Sequence, residues 1–160
     1  MIMLSLIMAL AGDISLLDKS PSFRGVPCGA PVPKGMSLVG TIDDQGTLAY
    51  EKPKDSVFLG AAQGTQVAYM FWKNQLVGAM LNGIPSGESD KALIALRDAY
   101  GPSFGTDEDG YNWRGEKMVV GLVPTEDGPW NVLWICLVVS DARDRIKSAN
   151  GFKFLVGPQP

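Results

Sequence analysis

The hydrophobic positions of this chain follow two periods, and each predicts a type of element. Three stretches are apolar almost throughout, as is typical of β-strands: 67–72, 117–123 and 130–139. Between residues 89 and 100, apolar side chains recur at helical spacing, and Gly101-Pro102 follows as a stop signal. The pattern therefore predicts one main helix at about 89–100, with strands on either side of it in the chain.

Turn-forming residues predict how the strands are connected. Asp43-Asp44-Gln45-Gly46 lies inside a predicted hairpin over 37–52, and Lys73-Asn74-Gln75 is the predicted loop of a second hairpin over 66–82. Near the end of the chain, Ser140-Asp141 can begin a short helix at about 141–149. These elements predict an α+β fold: a single domain over 23–156, with an antiparallel sheet of about six to eight strands and the main helix on one face.

The apolar strands predict more hydrophobic surface than one helix can cover. An antiparallel sheet usually exposes one face to water, but here both faces of several strands are apolar. The second face needs a cover, and the candidates are the N-terminal segment, the 141–149 helix, a second copy or a ligand. Large exposed apolar patches mark interaction sites. The residues that would form such a binding surface are Met70, Trp72, Trp130 and Trp134.

The amino-acid composition excludes several kinds of catalytic and metal-binding chemistry. The chain has 160 residues, 46% of them hydrophobic, and no histidine. This excludes Ser-His-Asp and Cys-His nucleophilic systems and histidine-ligated metals. With Lys+Arg 14 against Asp+Glu 17, no basic field attracts a phosphate backbone, so we expect no nucleic-acid partner. We also expect no cofactor.

Carboxylates are the remaining candidates for chemistry. The acidic run Asp107-Glu108-Asp109 lacks the ligand spacing of a calcium loop, so we interpret it as a solvated turn and expect no metal site. No Ser-x-x-Lys motif is present, and most acidic residues stand beside turn or cap residues. A histidine-free hydrolase with a carboxylate, lysine and tyrosine site is the alternative to a binding protein.

The N-terminus and the two cysteines indicate a compartment. Residues 1–11 read MIMLSLIMALA, an apolar run that ends in a small-x-small pattern, as in a secretory signal peptide. We then expect a connector over 12–22 and a tail over 157–160. Cys28 and Cys136 can form one disulfide in an oxidising compartment, or both can be small buried hydrophobes. No stretch outside the leader has the length of a membrane span.

Several short motifs resemble those of a loose group of small exported bacterial proteins of unknown function. The motifs are Phe23-Arg24-Gly25-Val26-Pro27-x-Gly29, Val67-x-Tyr69-x-Phe71, Tyr100-Gly101-Pro102 and Trp113-x-Gly115. Where that group usually has tryptophan, this chain has Cys28. The resemblance spans about residues 23–139; it implies an exported α+β domain and brings no catalytic residues.

These observations together favour a non-catalytic binding or interaction module outside the cytoplasm, either periplasmic or secreted. Its expected partner is a protein or a cell-envelope component, or a second copy that pairs through a sheet face. A cytoplasmic structural domain, with residues 1–11 packed onto it, is a further alternative.

Overall fold

The computed structural model describes residues 12–146 of the chain. The predicted signal peptide 1–11, the end of the predicted helix at 147–149 and the tail 157–160 lie outside the described residues. The strands are β1 (Ser22–Phe23), β2 (Val26–Pro27), β3 (Ser37–Thr41), β4 (Leu48–Glu51), β5 (Phe58–Leu59), β6 (Ala62–Gln63), β7 (Gln66–Trp72), β8 (Gln75–Ile84), β9 (Phe104–Thr106), β10 (Gly110–Arg114), β11 (Met118–Pro124) and β12 (Trp130–Cys136). The helices are α1 (Leu16–Lys19), α2 (Ser89–Tyr100) and α3 (Leu137–Ile146), and a 3₁₀ turn at Ser86–Glu88 precedes α2.

Eight of these strands form one antiparallel sheet in the order β3-β4-β7-β8-β12-β11-β10-β9. The pairs β1-β2 and β5-β6 are separate two-stranded ribbons. This confirms the α+β fold, with the sheet at the upper end of the predicted strand number. The main helix is also confirmed, with α2 at residues 89–100.

The sheet carries a buried hydrophobic cluster on each face. On the first face, Ala92, Leu93 and Leu96 of α2 pack with strand residues such as Tyr69 and Trp134. The N-terminal segment adds Leu17 to the same cluster, so the predicted connector is partly a packed element. On the second face, the strand side chains pack with residues of α3. The second face is therefore covered by the chain itself, which explains why strands apolar on both sides are stable here.

The prediction of a strand over 130–139 followed by a helix at 141–149 is wrong in its boundary. Strand β12 ends at Cys136 and α3 begins directly at Leu137, whose N–H donates to the Lys117 carbonyl oxygen. Buried Ser140 and Arg143 follow Leu137 at intervals of three residues, which is a helical period, while Val138 is 72% exposed. The apolar run Leu137-Val138-Val139 resembles a strand in sequence, but none of its residues has a partner in β11, because β11 begins at Met118 and Met118 pairs with Cys136.

Cys28 and Cys136 form a disulfide with a Cα–Cα distance of 5.6 Å. The bond joins the segment after β2 to the end of β12, across a sequence separation of 108 residues. It fixes the N-terminal segment against the centre of the sheet.

Candidate functional site

A cleft opens at one end of the sheet, between two hairpin turns. Leu48 at the start of β4 pairs with Phe71 near the end of β7, so the β3-β4 turn and the β7-β8 turn lie side by side. The cleft has a volume of about 330 Å³, which is at the lower end of the range for small-ligand sites. We call it the hairpin cleft, and it is lined by Val32, Gln45, Gly46, Leu48, Tyr50, Phe71, Trp72, Lys73 and Asn74.

Aromatic side chains form the wall of the hairpin cleft. The rings of Tyr50 and Phe71 meet edge to face, with centroids 5.4 Å apart. The indole N–H of Trp72 donates to the Gln45 carbonyl oxygen at 3.1 Å, which ties the two hairpin turns together. Phe71 and Trp72 are buried, whereas Tyr50 is half-buried, so an apolar group of a ligand would meet a wall that is already rigidly packed.

Polar groups lie at the rim of the cleft. Lys73 and Asn74 form a two-residue turn in the left-handed conformation, with φ angles of 48° and 58°. The turn is tight, since the predicted third loop residue, Gln75, already belongs to β8. The Lys73 ammonium lies 4.7 Å from the centroid of the Trp72 ring, and the side-chain Oδ1 of Asn74 accepts the Val32 N–H at 3.1 Å. Both rim residues are exposed and can meet a ligand directly.

The lining of the hairpin cleft offers binding contacts and little for catalysis. The lining residues that the structure describes include no Asp or Glu, and their one cation is the exposed Lys73. An acid–base mechanism needs paired groups of matched basicity around the reacting atom. The arrangement is suited to holding an apolar group beside an anion or a hydrogen-bond acceptor.

The four residues predicted to form a binding surface do not come together. Met70 and Trp72 belong to the cluster on the second face, and Trp130 and Trp134 belong to the cluster on the first. All four are buried, with at most 8% of any residue exposed. Only Trp72 of these four borders the hairpin cleft. Their apolar surface is used for the core, because the chain covers both faces of the sheet.

A partly buried polar network beside the sheet involves Arg24, Asp55 and Tyr69. The Tyr69 hydroxyl donates to one Asp55 oxygen at 2.6 Å, and Arg24 donates to the other at 2.8 Å. Arg24 also donates to the carbonyl oxygens of Ser56 and Phe58. Burial, followed by the hydrogen bond to Asp55, raises the pKa of Tyr69 well above its ordinary value. The tyrosine is therefore a firmly protonated donor, and the network ties the β1-β2 ribbon to β7.

The motif residues behind the family resemblance hold the fold together. Phe23 packs against both Tyr69 and Trp134, with ring centroids 5.2 Å and 4.7 Å away. The buried Trp113 donates its indole N–H to the Gly101 carbonyl oxygen at 2.9 Å. These contacts join the C-terminal end of α2 and the β1-β2 ribbon to the sheet. Of the motif residues, Phe71 borders the hairpin cleft.

The site residues that the sequence did not reveal are Gln45, Tyr50, Lys73 and Asn74. The sequence marks 43–46 and 73–75 as turns, but it does not show that these turns are neighbours. That depends on the antiparallel pairing of β4 with β7. The sequence signal that could have indicated this site is the presence of two turn-rich loops flanked by aromatic residues.

Residues 12–146 include neither a candidate metal-ligand cluster nor a candidate membrane-spanning helix. This part of the chain has no group of three or more Cys, Asp or Glu side chains placed to hold a metal ion. None of its helices combines the length and the apolar character needed to cross a bilayer.

The chain matches no protein-family model, no curated protein and no solved structure. Its function is therefore inferred from the chemistry of the hairpin cleft, and the resemblance drawn from its short motifs stays a prediction.

Proposed function

We propose that the protein is a non-catalytic exported binding domain and that its ligand, a protein segment or a cell-envelope component, binds in the hairpin cleft. The observation that carries this proposal is the combination of an aromatic wall with an exposed cation and an amide at the rim. The apolar part of the ligand contacts the half-buried Leu48 and Tyr50, with the buried Phe71 ring supporting Tyr50. Its anionic or hydrogen-bond-accepting part contacts Lys73 and Asn74.

Two features support export. The apolar run at 1–11 ends in the small-x-small pattern of a signal-peptide cleavage site. The bond between Cys28 and Cys136 is of a kind that persists in oxidising compartments and is rare in the cytosol.

The alternative, a histidine-free hydrolase, has less support. Among the described residues, a carboxylate and a tyrosine lie together in two places. Tyr111 donates to Asp107 at the exposed acidic turn. Tyr69 donates to Asp55, both of whose oxygens already accept hydrogen bonds. Tyr69 is fully buried and holds its proton firmly, which suits a structural donor better than a nucleophile or a base.

Photo-crosslinking in the producing cells tests the binding proposal. A benzophenone amino acid at Asn74, on the rim, should give covalent adducts, and mass analysis distinguishes a protein adduct from a saccharide or lipid adduct. Lys73→Glu in the same chain should weaken binding about tenfold, corresponding to ~1.4 kcal/mol, and remove most of the adduct.

The matched control places the same probe at Asp127. This residue is exposed on the turn between β11 and β12. The turn lies at the opposite end of the sheet, because Trp130 pairs with Ile84 at the far end of β8. Equal adducts from both positions, or adducts at Asn74 that survive Lys73→Glu, would contradict binding in the cleft.

A further inference from the structure

The β3-β4 turn encloses a carboxylate. One oxygen of Asp43 accepts the N–H groups of Gln45 at 2.8 Å and of Thr47 at 3.0 Å. The Ile42 N–H donates to the Thr47 carbonyl oxygen at 2.8 Å and closes the turn. The main chain therefore curls around the Asp43 carboxylate, and the side chains at alternate positions 43, 45 and 47 belong to one small loop.

Three side-chain oxygens of this loop are enclosed and have no hydrogen-bond partner. They are the second carboxylate oxygen of Asp43, the amide oxygen of Gln45 and the hydroxyl oxygen of Thr47, and the Gln45 amide nitrogen is also without a partner. Thr47 has no exposed surface at all. Buried polar atoms are almost always paired, so a group of such oxygens in one turn indicates a missing binding partner.

We propose that Asp43, Gln45 and Thr47 form a calcium site. Calcium binds six to eight oxygens in flexible geometry and takes carboxylate, amide and hydroxyl or water oxygens from alternate positions of a loop. Magnesium, by comparison, demands octahedral geometry and seldom gives up its waters. The cation neutralises the enclosed carboxylate and pairs all three oxygens at once.

A weak site is expected from this ligand set. Asp43 is the single carboxylate among the three ligands, and dissociation constants of about 10⁻⁴ to 10⁻³ M are typical of calcium sites in extracellular modules. The site stands independently of the proposed ligand in the hairpin cleft. Gln45 nevertheless belongs to both the calcium site and the hairpin cleft, because its main-chain carbonyl oxygen accepts the indole N–H of Trp72. Bound calcium would therefore also order the wall of the cleft.

Terbium luminescence provides a direct test with the full chain. Tb³⁺ replaces Ca²⁺ at oxygen sites, and the Trp72 indole at this turn can sensitise its emission. Excitation of tryptophan should give terbium emission that millimolar Ca²⁺ displaces. Asp43→Asn should abolish this emission, and Trp72→Phe, which removes the nearby sensitiser, should lower it.

Thr47→Val separates a ligand role from a structural role. The change removes an enclosed hydroxyl without a partner, so without calcium the melting temperature should stay the same or rise. Calcium affinity should nevertheless fall about tenfold, ~1.4 kcal/mol, and the calcium-dependent rise in melting temperature should shrink.

The matched control is Asp109→Asn in the acidic turn between β9 and β10, and it should leave both measurements unchanged. The absence of terbium emission and of calcium heat at 10 mM, a concentration about ten times the weakest expected constant, would overturn the proposal. So would emission that persists in Asp43→Asn. An internal water would then be the partner of these atoms.

Discussion

At the scale of single residues, specific hydrogen bonds hold the polar network of Arg24, Asp55 and Tyr69. Asp55 accepts hydrogen bonds from Arg24 and Tyr69, which come from distant parts of the sequence. The ion pair of Arg24 with Asp55 is partly shielded, with side-chain exposures of 27% and 14%. Such a pair depends on its neighbours, because loss of one partner leaves the other charge partly buried.

The raised pKa of Tyr69 makes stability fall at alkaline pH. In the unfolded chain Tyr69 titrates near its ordinary value of about 10, whereas in the folded chain it keeps its proton to higher pH because of burial and Asp55. The unfolded state therefore binds fewer protons above about pH 10, and the free energy of unfolding decreases as the pH rises further. Below that pH the contribution is fully present.

Tyr69→Phe should flatten this decline, as measured by urea unfolding at a series of pH values from neutral to about 11. At neutral pH the same variant should lose about 1 kcal/mol through the missing hydrogen bond to Asp55. Tyr111→Phe is the comparison: the pKa of Tyr111 is also raised, first by its hydrogen bond to Asp107, but this pair lies at the exposed acidic turn. This variant should therefore flatten the decline less than Tyr69→Phe. An equally steep decline in wild type and Tyr69→Phe would show that Tyr69 does not couple to folding.

At the scale of elements, the centre of the sheet depends on close approach of β8 and β12. Gly78 lies in β8 opposite Ile135, and a methyl group added at Gly78 would be 2.3 Å from the Trp134 carbonyl oxygen and 3.0 Å from the Met70 methyl carbon. The backbone of the neighbouring strand cannot move away without breaking the sheet. A side chain at position 78 is therefore excluded by packing.

Two strand glycines allow a matched comparison. Gly78→Ala should lower the free energy of unfolding by about 1–3 kcal/mol through overpacking. Gly121→Ala, in β11 of the same sheet, meets its nearest atom at 3.4 Å and should leave stability unchanged or raise it by up to about 1 kcal/mol. Chemical denaturation of both variants checks this, and equal stabilities would rule out the close contact at Gly78.

At the scale of the whole molecule, both faces of one sheet are covered by other segments of the chain. The N-terminal segment and α2 lie on the first face, and α3 lies on the second. The bond between Cys28 and Cys136 links the first of these covers to the end of β12, next to the start of α3.

Replacement of both cysteines by serine should destabilise the protein by about 2–5 kcal/mol. The bond closes a long loop, with a sequence separation of 108 residues, and so restricts the unfolded chain strongly. Guanidinium unfolding of the oxidised wild type, the reduced wild type and the double variant provides the measurement. If reduction leaves both the intact mass and the unfolding midpoint unchanged, the bond is not formed in the isolated protein.

Local sequence patterns were sufficient to predict much of the fold. The helical spacing of Leu93 and Leu96 and the stop at Gly101-Pro102 determined α2, because these signals act within one or two turns of the chain. The apolar runs of the strands also determined the fold class, and the absence of histidine determined the excluded chemistries. The prediction that residues 137–139 continue the strand was wrong, because a run of three apolar residues is compatible with a strand or a helix until its partner strand is known.

Only the tertiary structure decided where the additional apolar side chains pack and where the hairpin cleft lies. The four residues Met70, Trp72, Trp130 and Trp134 fall on opposite faces, and both faces are covered, so their hydrophobicity stabilises the core. The hairpin cleft and the enclosed oxygens of the β3-β4 turn exist because distant strands pair in a particular register. Hydrophobic period is a local property that the sequence determines by itself, whereas register and face coverage depend on contacts between residues far apart in the chain.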